Sequence, residues 1–233
     1  MASAAMTVVF RRSQKPGSIF FSGTHVQLVA SVAEMRRLFL RNTLIVPNLL
    51  RGLCVCVALG VVVPAGAGCA QERSTVQTVD AVDLTRYVGD WFEVARFPNR
   101  FQDECVGDVR ATYVARPDGR LDVVNRCRDR SGETMEARGV ARVVDAETRA
   151  KLKVRFAPAW LSWLPMVWGD YWVIGLAHDY SWAVVGSPDR EYLWILARMP
   201  ALDWERHSLA LATASASGYD VSRLTTTAHA SSR

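Results

Sequence analysis

YVGDWFEVARF, residues 87–97, decides how the rest of this 233-residue chain is read. Gly89 lets the backbone turn tightly into an extended run, and Trp91 offers a large flat ring to close one end of a sheet that curls on itself. Side chains two apart on a strand share a face, so Glu93 and Ala95 are expected to point inward with Trp91. Downstream, apolar and polar residues alternate in short runs between turn signals, the pattern of an antiparallel meander. VRATYVAR and LDVVNRCR flank Pro117-Asp118-Gly119, a turn in which Pro presets its φ and Gly supplies a positive one. ETMEARGVARVVD, AKLKVRFA, YWVIGLAHDY, SWAVVGSP and YLWILARM follow. Counted with the first stretch these are eight strands, and connections this short pair each strand with the next. The fold class is therefore all-β, an eight-stranded antiparallel up-and-down barrel. One C-terminal helix is capped by Asp203, carries Trp204, Leu209, Leu211 and Ala212 as its apolar stripe, and ends at Gly218. YDVSRLTTT after it reads as a short final strand.

The formal charge of +5 is not a property of that barrel. Residues 1–69 hold seven Lys or Arg against one acid, whereas residues 70–233 hold 21 against 22. A near-neutral domain lacks the basic face that phosphate neutralisation needs, which argues against nucleic acid as a partner. The basic half reads as a leader, residues 1–68. From Met35 a basic start (Arg36, Arg37, Arg41) precedes an apolar run around Leu53 to Val63 and the small residues of AGAGC, the layout of an export signal. Pro47 and Arg51 interrupt the run and disfavour a membrane-spanning helix. Residues 1–34 show no signal character, so Met35 is the better start and the upstream part reads as a mis-assigned one. Residues 69–82 follow as a polar tether, 83–227 as the barrel domain and 228–233 as a tail. Cys54 and Cys56 fall in the leader and Cys69 at the head of the tether, which leaves Cys105 and Cys127 as an isolated pair in an exported domain, most simply a disulfide. A metal site is the weaker reading of the pair, because no His lies near either Cys and no CxxC or HxxxH spacing occurs in the domain.

YVGDWF resembles the first signature of the lipocalins, in which Gly, any residue and Trp open strand A. YLWILARMP, residues 192–200, is similar to the last-strand signature, in which an arginine covers that tryptophan. The NRFQDEC loop, VVN at 123–125 and the SPDREYLWIL run make the resemblance closest to bacterial lipocalins related to apolipoprotein D, over Val79 to Thr227. The resemblance implies that Gly89, Trp91 and Arg198 form a structural signature, with Arg198 over Trp91 in a cation–π contact worth about 0.5–2 kcal/mol. It implies that Tyr113, Asn125, Phe156, Tyr171 and Trp194 line a ligand cavity with Glu93. Aromatic walls with a few polar groups suit an amphipathic ligand with an acyl chain. The same aromatics could instead fill a dry core.

Gly66, Ala67 and Gly68 before Cys69 resemble a bacterial lipoprotein box, in which Cys69 is acylated. Gly66 stands where that box usually has Leu, so plain signal cleavage with a free Cys69 is the alternative. Ala70 is not the aspartate associated with inner-membrane retention, and the implied location is the periplasmic face of the outer membrane. The implied function is binding, storage or transport of a fatty acid or lysophospholipid by a membrane-anchored protein of the bacterial envelope, without cofactor. The alternatives are an enzyme on the same barrel and a structural envelope protein with a filled interior. Gly-x-Ser-x-Gly, P-loop and Rossmann glycine patterns are absent. His178 and His207 sit among polar residues and His229 in the tail, and Glu93 is the one ionisable group expected inside, so no catalytic residue is assigned. APAWLSWLPMVWGDY connects the fifth and sixth strands with no charge until Asp170, unusual for a solvated loop. Trp160 to Trp168 is expected to meet membrane, to fold back as a lid, or to join two copies as a homodimer.

Overall fold

The computed structural model describes residues 10–12 and 75–230. Apart from Phe10–Arg12, the leader lies outside the described residues, as do the Met35 start and Cys69. The barrel strands are β1 (Gly89–Arg96), β2 (Gly107–Ala115), β3 (Leu121–Arg128), β4 (Thr134–Val143), β5 (Lys151–Arg155), β6 (Gly169–Leu176), β7 (Trp182–Gly186) and β8 (Leu193–Ala197). Each pairs antiparallel with the next, and β8 returns to β1 through Phe92↔Ala197 and Glu93↔Leu196, which closes the ring. A final strand, β9 (Thr225–Thr226), takes over the upper part of β1 where β2 has diverged from it, with Thr225 opposite Arg96.

Alternation along β8 divides the molecule into two apolar layers. Leu196 faces the barrel interior with Trp91, Tyr113, Val123, Val154 and Val173. Leu193, Ile195 and Ala197 face outward, under helix α2 (Trp204–Ala216). The extra residue Val94 bulges β1 between Glu93 and Ala95, so the strand changes face there. Ala95 consequently packs outside, against Ile195 and the helix layer, which corrects the expectation that it points inward with Trp91 and Glu93.

Helix α2 starts where expected, the Asp203 carboxylate accepting from Arg206 N at 2.8 Å, and stops at Gly218, whose φ of 83° few other residues adopt. Of the expected stripe, Leu211 packs on the sheet, but the centre of the buried face lies elsewhere. Ala210 and Ala214 are fully buried, whereas Trp204, at 83% exposure, and Leu209 point to solvent. The reason is proximity: a Cβ at Gly175 on β6 would strike Thr213, and one at Gly186 on β7 would strike the Tyr219 ring. Small residues on both surfaces bring helix and sheet together, and small residues leave little mark on a hydrophobicity pattern.

The opposite end of β1 is shut by the single turn α1 (Leu84–Tyr87), capped by Asp83 and held under the barrel by bonds from Val82 N to Thr148 O and from Asp83 N to the Tyr180 hydroxyl. Trp91, fully buried, donates its indole N–H to Tyr87 O at 2.7 Å. The Arg198 guanidinium lies 3.9 Å above the Trp91 ring and also donates to the carbonyls of Asp90, Arg86 and Tyr87. One side chain thus stacks on the ring and ties helix α1 to β1.

Cys105 and Cys127 are joined by a disulfide across 22 residues. The chain-entropy model gives such a closure about 3 kcal/mol. Val109 and Met135 pack around it, and Phe10 leans on the same cluster where Arg11 and Arg12 pair with Glu136 and Met135 of β4. All eight strands, both helices and both large apolar layers come from residues 75–230, so that segment supplies its own core.

Candidate functional site

Between the closed end and the opposite rim, the strands enclose a narrow, partly open cavity. Glu93, Tyr113, Asn125, Phe156, Tyr171 and Trp194 all line it. Trp91 and Arg198 do not, and sit beneath it. The wall also holds Phe101 and Gln102 from the loop after β1, with Ala111, Val123, Val154 and Leu196 between the aromatics. Sequence reasoning missed Phe101 and Gln102, because their loop reads as a plain polar connection and only its fold back over the mouth brings them in.

Three tyrosines lie at the floor. The hydroxyls of Tyr87 and Tyr171 are 2.8 Å apart, and Tyr113 donates to Tyr171 at 2.9 Å. Burial pushes all three phenols up, Tyr113 to about 12 and Tyr171 well above the ordinary value of 10.0. The sign of the pH dependence follows. An unfolded chain loses these protons from about pH 10, while the folded chain keeps that of Tyr113 until about 12. Their contribution to stability is complete below about pH 10 and is lost as pH rises through the folded values. In an alkaline titration, phenolate absorbance from these residues should appear together with loss of the β-sheet circular dichroism signal; phenolate formation well before unfolding would contradict the buried cluster.

Nearer the rim, Glu93 is 2% exposed and fully engaged. It accepts from Arg96 at 2.7 Å, from the Gln102 side chain at 2.8 Å and from the Thr227 hydroxyl at 2.5 Å. Gln102 Oε1 in turn accepts from Trp194 Nε1 at 3.1 Å and from Asn99 Nδ2 at 2.8 Å. A buried carboxylate is tolerable on these terms, with a cation and two neutral donors satisfying it. The other carboxylate in the lining, Asp170, pairs with Lys153 at 2.9 Å. Asn125 differs: its Oδ1 is buried and has no hydrogen-bond partner among the described residues, so one polar group of the mid-wall is unspent. Among the described residues no cluster of three or more His, Cys, Asp or Glu is placed to hold a metal ion.

His229, read from the sequence only as part of the tail, is held against the barrel. Its ring packs edge-on against Phe92, Nε2 is 2.7 Å from Glu93 O, and Ala230 N donates to Asp108. The last described residues therefore seal the seam where β1 and β2 part.

The connection from β5 to β6 borders the mouth, since Phe156 and Asp170 at its two ends line the cavity. It makes two short turns, Ala159–Leu161 and Pro165–Val167. Trp160 and Trp163 are 73% and 75% exposed, and Met166 is exposed beside them. Trp168, expected among the outward residues, is buried: its indole donates to Ser162 O at 2.8 Å, and the guanidiniums of Arg142 and Arg155 lie over its ring.

A family model described as a lipocalin-like domain matches residues 82–229. The chain is 40% identical over 149 residues to the outer membrane lipoprotein Blc of Escherichia coli strain K12, covering 64% of this chain and 80% of that protein. It is 39% identical over 155 residues to temperature-induced lipocalin-1 of Arabidopsis thaliana, covering 66% and 82%. Among solved structures, insecticyanin from the tobacco hornworm Manduca sexta matches with a TM-score of 0.53 at 20% identity, over 68% of this chain and 86% of that one, a likeness of fold.

Proposed function

The chain belongs to the lipocalin family, and on that premise we propose that it binds and carries a lipid with a single acyl chain, a fatty acid or lysophospholipid, in the bacterial cell envelope. The observation that carries this reading is the cavity itself: a slender space walled by Tyr113, Phe156, Tyr171 and Trp194, with apolar side chains between them and one unspent amide at Asn125. Such a wall fits an acyl chain and leaves polar groups at the rim for its head. Both lining carboxylates are committed to partners within the protein, which favours holding a ligand over acid–base chemistry.

The envelope location draws on the relatives named as outer membrane lipoproteins. On this reading Cys69 is acylated and holds the barrel on the periplasmic face of the outer membrane, multiple acyl chains being needed because a single one binds only marginally. Trp160 and Trp163 then turn the mouth toward the lipid from which the ligand is drawn.

The test is extraction. Protein purified without detergent should release a monoacyl lipid into organic solvent, identified by mass spectrometry, and the emptied protein should bind a fluorescent fatty acid that the extracted lipid displaces. An extract without lipid, together with no uptake of the probe, would leave a barrel filled by its own side chains. In cells, Cys69→Ser should move the protein from the membrane to the soluble fraction; unchanged membrane association of that variant would remove the lipid anchor.

A further inference from the structure

The outer face of β5 and its neighbour β4 carries an excess of uncompensated positive charge beside the mouth loop. On β5, Leu152 and Val154 face the interior, so Lys151, Lys153 and Arg155 face outward. Lys153 pairs with Asp170. Lys151, Arg155 and Arg142 of β4 have no carboxylate within ion-pair distance among the described residues, and each lies on an aromatic face instead. Arg142 Cζ is 4.3 Å and Arg155 Cζ 5.2 Å from the centre of the Trp168 ring, and Lys151 Nζ is 4.8 Å from that of Trp172. An aromatic face positions a cation without neutralising it. The Arg155 side chain, 7% exposed, donates to Ala157 O while its Nε has no partner. Trp168, under both guanidiniums, is bonded to Ser162, which stands between Trp160 and Trp163 in the chain. Two cations without counter-charge are therefore one indole away from the exposed apex of Trp160, Trp163 and Met166.

We infer that this composite surface docks on a phospholipid bilayer with negatively charged headgroups. The indoles enter the interface, and Arg142 and Lys151 respond to the surface charge, while the buried Arg155 holds Trp168 beneath them. The inference rests on the membrane-facing reading of the loop and adds the charge class of the membrane. An apolar apex flanked by cations is the composition that favours an anionic lipid surface, where hydrophobic insertion and headgroup attraction act together. The near-neutral balance of residues 70–233 makes the local excess the feature to explain, since it is not a by-product of a basic domain.

The experiment is co-sedimentation of the self-contained segment 75–230 with vesicles of phosphatidylcholine alone or with phosphatidylglycerol added. Binding should be at least about tenfold tighter to the anionic vesicles at low salt, and the preference should fade as salt is raised. Arg142→Gln, an exposed change, should weaken binding to anionic vesicles about fivefold and leave binding to neutral ones as it was. Trp160→Ser with Trp163→Ser should weaken both. Equal affinity of the wild type for the two vesicle types overturns the inference, even if the double tryptophan variant still loses binding. Full binding by that variant overturns the loop reading beneath it. A dimer in sedimentation velocity that the tryptophan variant splits into monomers would show that a second copy covers the surface, and overturns both.

Discussion

Trp91→Ala is expected to lower the unfolding free energy by about 3–5 kcal/mol, the range for emptying a large buried aromatic site. Trp91 is fully buried, packs against Tyr87 with ring centroids 4.8 Å apart, donates to Tyr87 O and carries Arg198 over its ring. Truncation leaves a cavity at the closed end and strands the guanidinium that also ties Arg86, Tyr87 and Asp90 together. Denaturant titration followed by intrinsic fluorescence and circular dichroism measures the loss. Ligand affinity of the fraction still folded should change little, because Trp91 is not in the cavity wall. A variant that unfolds like the wild type yet no longer takes up ligand would reverse the division between structural and binding residues.

The second large effect is at Glu93. Glu93→Gln should cost about 3 kcal/mol, because Arg96, with its side chain only 14% exposed, then keeps its charge without a counter-ion. The isosteric amide also offers one acceptor oxygen where Arg96, Gln102 and Thr227 now find two. Glu93→Gln combined with Arg96→Gln should recover a large part of that cost, since the buried charge goes with its partner, and the double-mutant cycle isolates the coupling. If Glu93→Gln is as stable as the wild type but fails to bind, the carboxylate meets the ligand directly and its internal ties are incidental.

Which features could be read from the chain depended on how local their physics is. Gly89, Trp91 and Arg198 were legible because each lies in a short distinctive run, and the structure stacks Arg198 on Trp91. The disulfide followed from having two cysteines in a domain that reads as exported. The six cavity positions, Glu93 to Trp194, were reached by alternation and resemblance, and all six line one space. Ala95 was misplaced because a one-residue bulge reverses every later side chain on the strand, and Val94 carries no local mark of it. The helix was located correctly, but of its expected stripe Leu211 packs inward while Trp204 and Leu209 do not, since Ala210 and Ala214 make the central contact through smallness rather than hydrophobic bulk. The roles of Arg96, Thr227 and His229 could not be read from the chain because they depend on distant partners, as Thr227 does on Glu93, 134 positions away.

The closure of the ring has a temporal side. Strand β1 is the first of the barrel to be synthesised, yet the upper part of one edge waits for residues 225–226 and the other edge pairs with residues 194–197. Until the ribosome has passed those positions, these edges present open amide and carbonyl groups beside Trp91 and Phe97, a template for pairing with any neighbouring chain. Contacts this distant in sequence also place the search for the native pairing among the slower ones, on the order of milliseconds to seconds. A protein truncated before Thr225 should keep the upper part of one β1 edge open even with all eight barrel strands made, because Thr225, Thr226 and Thr227, which bonds Glu93, come after them.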